Sequence, residues 1–188
     1  SNNNIILSLG TPTQDSKKIN SLAQNRNSFF GKIISIDKEK LIENIVKPEV
    51  FSLGHRTPQG ITKYKGKIFS VEHGPKGGDE LNKIELGKNY GWPLVSYGTR
   101  YFFQDEGKSY KVNHKNNGFA EPLHALIPSV GISTINNCPK KLEEYYKKNC
   151  LLALSLYGNE LRKGKSLLIF LLDENLETVH SIEKIFLN

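Results

Sequence analysis

Two histidines, His55 and His73, stand in Gly- and Pro-rich segments, GHRTPQG and EHGPKGG. An imidazole titrates near neutrality, so either could act as a general base, while a loop histidine equally serves local hydrogen bonding. Asp79 and Glu80 close the second segment as GGDE. Carboxylates suit a hard cation by type. At the end of such a turn, though, they more often cap backbone amides and fix the loop, and that structural role is expected here. The run Asn89-Tyr90-Gly91-Trp92-Pro93 has the make-up of a tight turn with a packed indole.

These groups need a scaffold that brings loops together. All of them fall in residues 51–97, where turn clusters at 54–60, 73–78 and 88–93 are separated by apolar alternating runs at 67–71 and 81–86. Loops flanked by short strands usually carry function in such a pattern. Upstream, residues 4–9 (NIILSL) and 29–37 (FFGKIISID) read as strands, 13–28 as a polar loop or frayed helical turn, and 38–45 (KEKLIENI) as a short helix. Downstream, 101–117 reads as a surface excursion, 121–128 and 131–136 as short strands, and 139–147 as a helical turn. Residues 150–156, 166–173 and 180–186 follow as strands. No long helix-period stripe occurs, so the class is all-β, and many short strands at near-even spacing favour a sandwich, a barrel or propeller blades.

Composition excludes several function classes. At 188 residues and 37% hydrophobic content the chain can bury a core. Its formal net charge of +7 comes from scattered lysines and arginines without a basic run, which reads as a solvated surface and not as a nucleic-acid interface. No stretch approaches the roughly 18 consecutive apolar residues of a membrane helix. The two cysteines, Cys138 and Cys150, lack metal-site spacing and leave two readings open, one disulfide or separate thiols. The apolar run CLLALSL favours a buried thiol at Cys150.

Three motifs in order, GHRTPQG, SVEHGPKGGDELNKI and GKNYGWPLVSYG, resemble the signature stretch of the glucose/sorbosone dehydrogenase family. LSLG with FFGKIISID is similar to the family's preceding blade, and PSVGIST with NCLLALSLYGNELRKGKSLLIFLLDEN to the following one. The resemblance implies a six-bladed β-propeller and oxidation of an aldose sugar by pyrroloquinoline quinone (PQQ), with calcium anchoring the cofactor and electrons leaving to an external acceptor. It implies that Arg56 contacts the quinone, a task that suits a permanently charged guanidinium able to pair bidentately. Thr57 stands where the family usually has Asn, and Tyr157 where it usually has a cofactor-facing Lys. Gly74 and Pro75 match the loop whose carbonyls hold calcium, and Tyr90 or Trp92 borders the sugar site. The family is typically periplasmic.

The family takes its base from a histidine upstream of the LSLG strand and further cofactor arginines from beyond the segment matched here. The expected domain is thus residues 1–188 as a single partial propeller, a fragment or a shortened relative, inactive alone and prone to self-association through open blade edges. At roughly 40 to 50 residues per blade the length corresponds to about four blades. Thr57 and Tyr157 keep a second reading in view, a non-catalytic propeller binding a sugar or protein partner.

Overall fold

The computed structural model describes residues 4–12, 17–100, 109–156 and 165–187. Among these residues eleven strands form three antiparallel sheets, each built from strands consecutive in sequence. The first is β1 (Asn4–Leu9), β2 (Lys32–Asp37) and β3 (Glu49–Leu53). The second runs β4 (Thr57–Tyr64), β5 (Lys67–His73), β6 (Asp79–Ile84) and β7 (His124–Leu126). The third is β8 (Ile132–Asn137), β9 (Asn149–Ser155), β10 (Lys165–Leu172) and β11 (Val179–Leu187), in the order β11-β10-β9-β8. Helices are short: α1 (Lys17–Ser21), α2 (Lys38–Ile42) and α3 (Lys140–Tyr146). The Asp37 side chain caps α2 by accepting from the backbone amides of Glu39 and Lys40, which is why a helix starts where β2 stops.

Sheets of consecutive up-and-down strands are the form that propeller blades take. Among the described residues three such sheets are present, where the length suggested four blades. Residues 85–123, between β6 and β7, take up nearly a blade's worth of chain, and the described ones among them add no strand to a sheet. The expected turn at 54–60 is shorter than its composition indicates. It ends at Arg56, and Thr57 onward is β4, an edge strand that accommodates Pro58 beside a register shift between Pro58 and Gly60.

Alternation sorts the two faces of the second sheet. Pairings Val71↔Leu81 and Glu72↔Glu80 place Phe69, Val71 and Leu81 on one face and Ser70, Glu72, Glu80 and Asn82 on the other. The apolar face joins Ile132, Ile135, Leu151, Leu168 and Phe170 of the third sheet in the main core. The polar face turns toward the first sheet, where Ile33 packs with Ile84 and Tyr90. Lys32, fully buried, directs its ammonium to the carbonyls of Leu22, Ala23 and Phe30, and burial draws its pKa down to about 8. Those bonds hold the 22–24 turn against the end of β3.

Cys138 and Cys150 form a disulfide, correcting the expectation of a buried thiol. The apolar run around Cys150 signalled burial correctly, as Cys150 is fully buried and packs with Ile169 and Leu171. It could not signal the partner. Helix α3 turns the chain back so that Cys138, just past β8, meets Cys150 on the neighbouring strand β9, with Cα atoms 5.5 Å apart.

Candidate functional site

The pairing Thr57↔His73 puts the residue before β4 and the residues after β5 at the same end of a hairpin. Arg56 and the Gly74-Pro75 loop therefore lie side by side. Two glycines allow the closeness. Gly54 adopts φ +79°, and a Cβ there would meet Asn89 Oδ1 at 2.2 Å. A Cβ on Gly74 would meet the Gly78 carbonyl oxygen at 2.0 Å. The 88–92 turn is pinned beneath by backbone bonds from Tyr90 N–H to Leu53 (2.8 Å) and from Trp92 N–H to Gly54 (2.9 Å).

The Arg56 guanidinium lies over the indole of Trp92, 5.2 Å from the ring centroid. Its Nη1 donates to the His73 carbonyl at 3.3 Å and to Thr57 Oγ1 at 3.4 Å. Among the described residues no carboxylate approaches it within ion-pair distance. Arg56, His73, Gly74, Pro75, Trp92 and His114 line one narrow cavity whose free space, about 10 Å³, is room for roughly one water molecule. His73 Nε2, Trp92 Nε1 and His114 Nδ1 are buried around it without a hydrogen-bond partner among the described residues.

A carboxylate cluster underlies this surface. Glu72 accepts from the Arg56 backbone N–H (2.9 Å), from Asn82 Nδ2 (2.9 Å) and from His55 Nδ1 (3.4 Å). A carboxylate can only accept, which assigns the imidazole proton to Nδ1 and leaves Nε2 to accept from the Ser52 hydroxyl at 2.9 Å. The same Asn82 amide donates to Glu80 at 3.2 Å, and Glu80 stands 3.6 Å from His114 Nε2. Burial holds the His114 pKa down. Burial, and then the charge of Glu72, push the Glu80 carboxyl well above its ordinary range.

A carboxyl whose folded pKa exceeds its unfolded one keeps its proton in the fold after the unfolded chain has lost it, so stability falls as pH rises from the ordinary 4.5 through the folded value. Glu80→Gln is expected to flatten that fall, read as the melting temperature across the acidic to neutral range. An unchanged slope would show Glu80 ionised in the fold.

Several expected site residues take other parts. His55 is fully buried, has both ring nitrogens engaged, and stacks on Tyr90 at 4.6 Å, so it cannot reach a substrate as a base. Tyr90 is buried with its hydroxyl bonded to the Lys83 carbonyl and the Glu85 amide. Trp92 is buried against Arg56 and Tyr110. Neither ring offers a free face for a sugar. Asp79 is structural: Oδ1 accepts from Gly74 N–H and the Ser129 hydroxyl, Oδ2 from Val130 and Ile132 N–H. Tyr157 lies outside the described residues. Glu72, Asn82 and His114 went unnoticed in the sequence. For Glu72, Glu80 and Asn82 a signal existed, since polar residues at two-residue spacing inside apolar strands occupy one face.

The family model for glucose/sorbosone dehydrogenase matches residues 1–180. The chain belongs to that family. Over 93 residues it is 38% identical to quinoprotein glucose dehydrogenase B of Acinetobacter calcoaceticus, covering 46% of this chain and 19% of that protein. Over 89 residues it is 36% identical to the aldose sugar dehydrogenase YliI of Escherichia coli strain K12, covering 42% and 24%. A crystal structure of a glucose dehydrogenase superposes with TM-score 0.75 at 29% identity, covering 97% of this chain and 51% of the other. The fold is a family β-propeller of which this chain forms part, spanning about half the length of that solved relative.

Proposed function

We propose that residues 1–188 form one partial propeller domain carrying the cofactor-facing loops of a PQQ- and calcium-dependent sugar dehydrogenase, which in intact form oxidises an aldose to its lactone. The observation that carries the reading is the guanidinium of Arg56, a partly buried residue, stacked on Trp92 and free of any carboxylate among the described residues, beside the Gly74-Pro75 loop. An unneutralised cation held in place is suited to the carboxylates and quinone oxygens of an anionic cofactor. Neither the Gly74 nor the Pro75 carbonyl accepts a hydrogen bond from a described residue, and calcium takes carbonyl oxygens readily. Among the described residues no cluster of three His, Cys, Asp or Glu competes for the ion. The residues present therefore fit both groups.

The cavity is too small for a quinone, so the cofactor would lie across its mouth, on Arg56 and the loop. When bound, the quinone supplies a two-electron acceptor polarised by calcium. The chain's own residues orient it: Arg56 by charge, the carbonyls by direction, and Trp92 by backing the guanidinium. Thr57 lends only its hydroxyl to Arg56. Oxidation also requires a base for the sugar hydroxyl proton. His55 is sequestered, so the chain alone is expected to bind cofactor without turnover.

The disulfide supports a periplasmic or secreted location, since such bonds persist in oxidising compartments, and no described helix is long and apolar enough to cross a membrane. The aldose and an external electron acceptor complete the partners. Self-association through open edges such as β11, where Ile185, Phe186 and Leu187 are exposed, belongs to the same reading.

The test is calorimetric titration with PQQ, with and without calcium, beside a dye-reduction assay on glucose and other aldoses. Calcium-dependent binding, weakened about tenfold or more by Arg56→Ala on loss of a charge-assisted contact, and no dye reduction are expected. Absence of binding would remove the cofactor site. Turnover above free quinone would make His73 the base.

A further inference from the structure

We propose that Glu72 is the positioning residue of the Arg56 site, holding both partners of the Arg56–Trp92 stack through one buried carboxylate. The inference deepens the cofactor reading above and rests on it only for the meaning of the stack.

Among the described residues Arg56 has no acidic partner to fix its side chain, so its placement depends on how its backbone is anchored. The anchor is the 2.9 Å bond from Arg56 N–H to Glu72 Oε2. The guanidinium then reaches the carbonyl of the next residue, His73, at 3.3 Å. Two consecutive residues of β5 thus hold the start and the end of Arg56. The other Glu72 oxygen receives His55 Nδ1 and Asn82 Nδ2. His55 stacks on Tyr90, two residues before Trp92 in the same turn. The carboxylate therefore bonds Arg56 at its backbone amide and reaches the turn that carries Trp92 through the stacked rings of His55 and Tyr90.

The chemistry requires an anion. Three N–H donors converge on two oxygens of a side chain only 4% exposed. A glutamine would aim its own amide hydrogens at one of those donors. The sheet does not need the carboxylate, because the β5–β6 register from Ile68↔Ile84 to Glu72↔Glu80 is held by backbone bonds, and Val71 and Leu81 face the main core.

Trp92 is the sole tryptophan of the sequence, so its fluorescence reports on the stack without any cofactor. The experiment compares Trp92 emission and iodide quenching in the wild type, Glu72→Gln, Arg56→Ala and the double variant, each checked for folding by far-ultraviolet circular dichroism. PQQ titrations run in parallel. Glu72→Gln is expected to move the Trp92 signal in the same direction as Arg56→Ala, to add nothing to it in the double variant, and to weaken PQQ binding about tenfold. A folded Glu72→Gln protein with wild-type Trp92 signal, or effects that simply add, would overturn the proposal. Glu72→Asp keeps the charge but shortens the reach, and it carries the same comparison if Glu72→Gln fails to fold. The expected Trp92 pattern with no PQQ binding in the wild type would sustain Glu72 as the positioning residue and remove the cofactor reading.

Discussion

Asp79→Asn is expected to lower stability by about 3 kcal/mol, because it removes charge-assisted bonds worth roughly 1.5–3 kcal/mol each from a buried site. The carboxylate, 2% exposed, joins β6 to the start of the third blade by accepting from Ser129, Val130 and Ile132, and it also takes the Gly74 amide. An asparagine must turn its amide nitrogen toward one pair of donors. Facing Val130 and Ile132 it meets two backbone N–H groups that cannot rotate. Facing Gly74 and Ser129 it meets one backbone N–H and a hydroxyl that can reorient, so this orientation is the less costly. In a chain of this size the loss corresponds to a fall in melting temperature of about 10 °C. Calcium affinity is expected to change far less, about threefold, since only the long 3.3 Å bond to Gly74 connects Asp79 to the carbonyl loop. Thermal unfolding and a calcium titration check the two together. Affinity lost with the melting temperature unchanged would return the carboxylate to the metal.

Breaking the Cys138–Cys150 disulfide is expected to cost a similar amount, about 3 kcal/mol, from the chain entropy of closing a short loop. The sequence separation is 12, and the bond joins adjacent strands across helix α3. Cys138→Ala with Cys150→Ala is the cleaner variant, because serines would bury two hydroxyls beside Ile169 and Leu171. Denaturant unfolding of this variant, and of the wild type with and without reductant, measures the difference. Unchanged midpoints would show that α3 and the β8–β9 ladder hold the connection unaided.

The strands were legible wherever alternation met a hydrophobic core. β5, β6, β9 and β10 fall within two residues of where period-two patterning places them, since each buries a full apolar face. β4 was not, because Thr57-Pro58-Gln59-Gly60 has turn chemistry and only an edge position tolerates it. The meeting of Arg56 with Gly74 and Pro75 followed from loops flanking neighbouring strands. The roles inside the site did not. Glycine and proline around His55 suggest an open loop, whereas burial by Tyr90 and capture by Glu72 come from residues distant in sequence. Trp92 likewise reads as an aromatic platform until Arg56 is seen on its face.

The polar face of the second sheet also bears on how such a sequence can drift over descent. Glu72, Asn82 and Glu80 share one amide, and each is buried. Exchanging Asn82 for an apolar residue takes a donor from both carboxylates, and exchanging either carboxylate leaves an Asn82 hydrogen unpaired, whereas exchanging all three leaves the Arg56 N–H and the His55 and His114 rings to be re-partnered. Each single exchange is then expected to lower stability, and recovery requires the residues that lean on the group to change with it. The three positions should vary as a unit among descendants, and Arg56 and His55, which lean on the same carboxylate, should be the first to change when that unit does.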